Sequence, residues 1–345
     1  MVKRKKNRKG LKEWGQALLL AFILALLIKG LVVQSFMVAS PQMEKTILTG
    51  DFIMVNKIQY GARLPITLLS VPFFSSAYSE LIQLPQIRMP GFGSIKHNDL
   101  IVFNYPVQFD PPIDKKENMV KRCIGLPGDT IKINSKKVFV NNIPNICTSS
   151  LQFNYRVVTN NKVIDNEFLE KYEINEGGMV SDIGIYDFTL DFERYKQIKA
   201  DKNIRYIREL KDFPGENSRY IFPIGHYFSF NKDYFGPLVV PYKGQVIQLS
   251  THNIEIYKIL LTEYEGNSVE IKNYKIFING KKTTKYTIKH DYYFVMDDNR
   301  DNAKDSRYWG FLPKSHIIGK ASFIWFSYNK SKGAIRWRRM FKHLF

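Results

Sequence analysis

Hydrophobic and polar positions along the chain change character at about residue 35. Residues 14–33, WGQALLLAFILALLIKGLVV, are an apolar run whose polar members, Gln16 and Lys29, lie towards its ends. A helix needs about 20 residues to cross a hydrocarbon core. A lysine near the end of such a helix can lay its stem along lipid while its ammonium reaches the headgroups. From residue 36 the apolar positions come instead in short β-branched and aromatic runs, punctuated by Gly, Pro and Asn. These are GDFIMVNKI (50–58), NDLIVFNYP (98–106), VKRCIGLPGDTIKI (120–133) and KKVFVNNIP (136–144). They predict strands joined by tight turns. No comparably long amphipathic helix is legible after the apolar run. The expected fold class is therefore mainly β with one N-terminal transmembrane helix.

Two stretches resemble each other: KINSKKVFVNNI (132–143) and EIKNYKIFINGK (270–281). Each ends in an Asn-rich or Asn-Gly turn, so each predicts a hairpin. Residues 148–268 are rich in Lys, Asn and Tyr and weakly patterned. The expected division is a basic segment (1–13), an anchor (14–33), a β core (35–147 with 269–329), an inserted region (148–268) and a basic aromatic tail (330–345). LPITLLSVPFFSSAY (64–78) is apolar but broken by proline. It reads equally as a loop against membrane or substrate and as an ordinary core loop.

Net charge is +19, which at first sight points to nucleic acid. Its distribution does not. Seven basic residues lie within the first twelve and six more within 330–342, with no acid in either segment. Thirteen of the nineteen net charges therefore sit at the ends, and no nucleic-acid partner is expected. The basic cluster before the apolar run places the N-terminus in the cytoplasm and the rest of the chain outside. A cleaved signal peptide is the competing reading, but QSFMVAS supplies a poor cleavage pattern. The ending IRWRRMFKHLF suits a membrane interface with anionic lipid; a solvated basic tail is the alternative. Cys123 and Cys147 read as two unpaired thiols rather than a disulfide framework, and the six histidines are scattered, so no metal or other cofactor is expected.

Three segments carry candidate chemistry: SFMVASPQMEKTILTGDFIMVNK (35–57), NMVKRCIGLPGDTI (118–131) and MDDNRDNAKDSRYWGFLP (296–313). In this order, behind an apolar helix, they resemble bacterial type I signal peptidase, the Ser/Lys-dyad peptidases, and especially the large forms of the Bacteroidetes group. The resemblance extends to GKASFIWFSYN (319–329) and draws little from the middle region. It implies a membrane-anchored serine endopeptidase that removes signal peptides from exported proteins at the outer face of the bacterial cytoplasmic membrane. The implied partners are the signal peptides of exported preproteins, the lipid bilayer and the protein-export machinery.

The resemblance also assigns roles. Lys121 matches the general base and Ser40 the side-chain donor to the oxyanion. Phe36, Val38 and Val120 match positions lining the small-residue substrate pockets. Asp305 and Arg307 match a charged pair that braces the site, with Asn299 in the same turn-rich element. A lysine accepts a proton near neutral pH only if its pKa falls well below about 10.4. Desolvation lowers it by up to roughly 3–5 units. On a strand Met119, Lys121 and Cys123 share one face, which puts the lysine among apolar neighbours.

Two departures fall at the chemistry. The position matching the nucleophilic serine is Gln42, whose carboxamide has no O–H to give up. The position matching a serine that hydrogen-bonds the lysine is Ala303. A third departure is Asp297, where the family pattern has glycine. Ser40 cannot replace the nucleophile if 40–42 is extended, because alternate strand residues are about 6.6–7 Å apart. Three readings stay open: a working signal peptidase with an unusual arrangement at residue 42, a catalytically inactive relative that binds signal-peptide-like segments or assists an active one, and a membrane-anchored structural protein.

Overall fold

The computed structural model describes residues 5–70, 77–146, 150–160, 163–216, 218–330 and 332–344. Its long helix, α1 (Lys5–Leu31), contains a stretch, Lys12–Leu31, that is long and apolar enough to cross a membrane. Leu18, Leu20 and Leu24 are exposed along it. The apolar run outlasts the helix: Val33 already belongs to the first strand. Lys57 Nζ donates to the carbonyls of Lys29 (3.0 Å) and Gly30 (3.1 Å), satisfying acceptors that the last helical turn leaves open.

The rest is mainly β. The largest sheet contains β1 (Val33–Met37), β2 (Asp51–Asn56), β3 (Leu100–Asn104), β4 (Asn118–Gly125), β5 (Tyr292–Met296), β6 (Leu312–Pro313) and β7 (Ile317–Asn329). Its order is β1-β2-β7-β3-β4-β5-β6, with every pairing antiparallel. Strand β3 reads LIVFN without alternation because both its faces are buried. Leu100 and Val102 join a cluster with Val38, Met43, Ile53 and Ile324, whereas Ile101 and Phe103 join Cys123, Val295 and Trp309. Gly50 (φ 87°) makes the turn into β2, where a Cβ would overlap the Tyr328 carbonyl.

The two similar stretches fold alike. Residues 130–144 and 269–282 are each a three-strand meander with two left-handed turn residues after the first strand and two after the second. Asn141 Oδ1 accepts from Thr130 N (2.8 Å) and Asn279 Oδ1 from Ser268 N (2.9 Å), so the same asparagine lock recurs. Asparagine tolerates the αL conformation these turns demand.

Within 148–268 the chain does two things. Residues 152–209 form a four-stranded sheet with the helices Asn166–Lys171 and Phe192–Lys199, around its own core of Val157, Phe188, Leu190 and Ile198. Farther on, Phe235, Leu238, Ile254 and Leu261 pack with Ile131, Ile276 and Phe294. Strand Tyr234–Val239 pairs directly with Thr130–Asn134.

The apolar stretch at 64–78 contributes Thr67–Ser70 and the start of Tyr78–Gln83, two strands paired as a hairpin with Leu68, Leu69 and Leu81 exposed; residues 71–76 lie outside the described residues. At the other end the tail folds back. Ala334–Ile335 and Lys342–His343 pair with β7, Leu344 is buried, and Arg339 Nη2 meets the buried Asp51 carboxylate at 2.6 Å. Trp337 and Phe341 stay exposed. Cys123 is a free, buried thiol, its pKa pushed up by burial; Cys147 lies outside the described residues.

Candidate active site

The end of β1, the turn that follows it, β4 and the loop after β5 converge on one cleft. Phe36, Val38, Ser40 and Gln42 line it from one side, with Met119 and Val120 from the other and Lys304 at the loop. Its volume is about 170 Å³. The structure thus brings together Phe36, Val38, Val120, Ser40 and Gln42, which the sequence spreads over 85 positions. Val38 is buried and Phe36 half-buried against the core below β2, so the cleft wall is fixed by packing.

Residues 40–42 are not extended. Pro41–Met43 is a 3₁₀ turn with Ser40 at its N-cap (φ −122°, ψ 152°). Proline at the first helical position suits this, since its missing N–H would have had no partner and its φ is already helical. The turn brings Ser40 Oγ to 3.5 Å from Gln42 Oε1, so the strand spacing expected for the pair does not apply. Asn299 N donates to the Gln42 carbonyl (3.0 Å), holding the turn against the third segment.

Lys121 is fully buried, and Met119 and Cys123 pack in one apolar cluster beside it on β4. Those surroundings are only half of its environment. Its Nζ lies 2.6 Å and 2.7 Å from the two carboxylate oxygens of Asp297, which is equally buried, and 3.2 Å from Gln42 Oε1. An ammonium has three protons, and each has an acceptor. Burial pushes the Asp297 carboxyl up to about 6, against the opposing pull of the Lys121 ammonium, and the Asp305 charge adds to the rise. The carboxyl therefore carries its charge at pH 7.

One residue along, the pattern repeats. Arg122 Nε and Nη2 donate to Asp298 Oδ1 (2.7 Å) and Oδ2 (2.6 Å), and Thr46 Oγ1 donates to the same carboxylate (2.5 Å). Consecutive cations on β4 therefore face consecutive acids after β5, a consequence of the pairing that sets Met296 opposite Arg122.

The remaining third-segment residues support this loop. Asp305 binds Arg307 through both carboxylate oxygens, Nε at 3.0 Å and Nη2 at 2.8 Å. Asp305 also accepts from Asp297 N (3.0 Å) and caps the short helix Ser306–Trp309. Burial raises the Asp305 carboxyl, but the charge and hydrogen bonds of Arg307, the Lys121 charge and the Asp297 N–H together outweigh it, and the net shift is downward. Asn299 Nδ2 reaches Glu176 of the 152–209 unit (2.9 Å). Ala303 offers a methyl group, and its neighbour Lys304 donates its backbone N–H to Asp297 Oδ2 (2.9 Å). Among the described residues, no group of three His, Cys, Asp or Glu side chains could hold a metal ion.

The family model for signal peptidase, peptidase S26, matches residues 11–234 and 282–326, a span that includes all three segments of the cleft. The chain belongs to this family. Curated relatives are signal peptidase I of Buchnera aphidicola subsp. Acyrthosiphon pisum, 28% identical over 316 residues, covering 90% of this chain and 74% of the relative. Signal peptidase I of Pseudomonas aeruginosa is 24% identical over 332 residues, covering 93% and 75%. That of Aquifex aeolicus is 26% identical over 313 residues, covering 90% and 82%.

Within that family frame, sequence reasoning picked out Asp297 as a departure but not as the partner of Lys121. It missed Arg122, Asp298, Glu176 and Lys304. The signal for the first two was present in Lys-Arg at 121–122 and Asp-Asp at 297–298, adjacent pairs of opposite charge in neighbouring segments.

Proposed function

We propose that this chain uses the signal peptidase scaffold to seat extended, signal-peptide-like segments beside a membrane without cutting them. The observation that carries this reading is the buried contact of the Lys121 ammonium with both Asp297 oxygens. A general base needs a free lone pair, and a lysine held next to an ionised carboxylate keeps its proton. The nucleophile is missing as well: Gln42 contributes a carboxamide oxygen that itself accepts from the lysine. The residues matching the substrate pockets support binding. Phe36, Val38 and Val120 line a cleft suited to small apolar side chains, and the flanking β1 and β4 backbones suit a peptide that adds as a strand. Ser40 would donate to the peptide carbonyl. Asp305, Arg307, Asn299 and Ala303 have a supporting role.

The helix at Lys12–Leu31 is read as the anchor, with the basic N-terminus in the cytoplasm and the β domain outside the bacterial cytoplasmic membrane. The ligands are then exported preproteins or their signal peptides, in the neighbourhood of the export machinery. Hydrolysis by this chain alone, the alternative, would need Lys121 released from Asp297 and a nucleophile other than the Gln42 carboxamide.

The test is peptide hydrolysis by the full chain in detergent, using a substrate with an Ala-x-Ala site. The unmodified chain is expected to give no turnover. Gln42→Ser with Ala303→Ser is expected to remain inactive while Asp297 holds the lysine, and adding Asp297→Gly is expected to produce measurable cleavage. Turnover by the unmodified chain that disappears on Lys121→Ala would overturn the proposal.

A further inference from the structure

We infer that the cleft recognises a free C-terminal carboxylate, so that the preferred ligand is a peptide already cut after a small residue rather than an intact one. This rests on the peptide-binding reading above and adds the chemical identity of the peptide's end. The carboxamide of Gln42 has a fixed sense. Lys121 can only donate, so the oxygen of Gln42 faces it at 3.2 Å, and the Ser40 hydroxyl points to the same oxygen at 3.5 Å. The amide nitrogen is thereby directed elsewhere. Among the described residues nothing accepts from it, and Gln42 lines the cleft. Where a signal peptidase would hold an attacking oxygen, this cleft offers two N–H donors.

A cation stands nearby. Lys304 lines the same cleft, exposed, with its Nζ 4.5 Å from the Tyr105 ring centroid. Among the described residues Lys304 is in no ion pair within 4 Å. Its backbone is tied to Asp297, so it moves with the ion-pair loop. Lys121 and Asp297 cancel each other, so beside Gln42 the cation of the cleft not held in an ion pair is Lys304. The acid of the cleft, Glu117, stands on the Tyr105 side of Lys304, its carbonyl accepting from Tyr105 N (2.7 Å), but it forms no ion pair with the lysine. An anion is therefore met by two unengaged donors, the Lys304 ammonium and the Gln42 amide, on the side of the cleft away from Glu117. A neutral peptide carbonyl at the same place would use the amide but leave the cation without a partner. The small apolar lining of Val38, Ala39 and Val120 fits the short side chains that precede such an end. The reaction that supplies this ligand is hydrolysis of a peptide bond after a small residue, carried out by another endopeptidase.

The experiment is fluorescence anisotropy with the full chain in detergent micelles and three labelled peptides of one sequence. The first ends in Ala-x-Ala with a free carboxylate, the second carries a C-terminal carboxamide, and the third continues past the site. The free acid is expected to bind about tenfold tighter than the carboxamide, roughly the effect of one charge-assisted hydrogen bond. Lys304→Gln, an exposed substitution, and Gln42→Met should each shrink that preference. The preference should also fall at about 1 M salt, where exposed charges are screened over roughly 3 Å. Equal binding of acid and carboxamide overturns carboxylate recognition while leaving peptide capture standing. Failure of all three peptides to bind overturns peptide capture itself.

Discussion

Two ion pairs lie side by side in this molecule. Lys121–Asp297 and Arg122–Asp298 join the same strand to the same loop, both are buried, and both close to 2.6 Å. They differ in what the cation can do. A guanidinium does not lose its proton in a protein, and that of Arg122 is held by both oxygens of Asp298 with Thr46 sharing the acid. The lysine could lose its proton, and it borders the cleft through Gln42. The Arg pair joins the second and third segments and no peptide-lining residue; the Lys pair, on the function proposed above, stands at the position that matches a peptidase's base. On that proposal, one carboxylate at position 297 makes the second resemble the first. The difference between a catalytic amine and a structural cation is thus a matter of which acid stands next to it.

Removing the acids should separate the two pairs. Asp298→Ala strands a guanidinium that cannot neutralise itself, and is expected to cost roughly 3–5 kcal/mol in chemical denaturation at pH 7. Asp297→Ala strands an amine that can shed its proton, so a smaller loss of roughly 1–3 kcal/mol is expected. Equal losses would mean that the proton on Lys121 is as immovable as that on Arg122. The pH dependence sharpens the contrast further. The Asp297 carboxyl, raised to about 6 from 3.8, keeps a proton in the folded chain that the unfolded chain has released between those values. Its stabilising contribution is full below about pH 4 and is lost as pH rises through 6. Asp305, shifted downward, does the reverse and loses its contribution only below 3.8. The stability gap between the unmodified chain and Asp297→Ala should therefore widen as pH falls from 6 to 4, on the order of 1 kcal/mol; a narrowing gap contradicts this. Thr46→Val, which removes the hydrogen bond to Asp298 and the one shared with Ser150 Oγ (3.1 Å), should cost about 1–2 kcal/mol. It should leave peptide affinity unchanged by anisotropy, because the Arg pair does not reach the cleft.

Much of the fold was legible because local signals carry it. The runs at 50–58 and 98–106 each hold one strand, and the runs at 120–133 and 136–144 each hold two, split at Gly128 (φ 92°) and at Asn141–Asn142. The Asn-rich turns form where φ must be positive. The cleft residues Phe36, Val38, Ser40 and Val120 were named from motif positions and line one cleft. What could not be read depends on partners far apart in sequence. Asp297 meets Lys121 across 176 positions, and only the register of β4 against β5 brings them together. The 3₁₀ turn at 41–43 was hidden by strand-like neighbours, although Pro41 was a cue to a helical start. The tail, basic enough to suggest solvent or lipid, folds back because Asp51 is buried and needs the guanidinium of Arg339.

The join between α1 and β1 leaves no hinge. A single residue separates Leu31 from Val33, and Lys57 clamps the last helical carbonyls to β2. With the anchor in a bilayer as proposed, the β domain cannot swing on a tether, and Gln42, eleven residues beyond Leu31, is kept at a set height above the lipid. The molecule then acts as a ruler. A peptide rising from the same bilayer can seat its terminus only if its own greasy stretch ends at the matching depth, so length joins chemistry in choosing what is held.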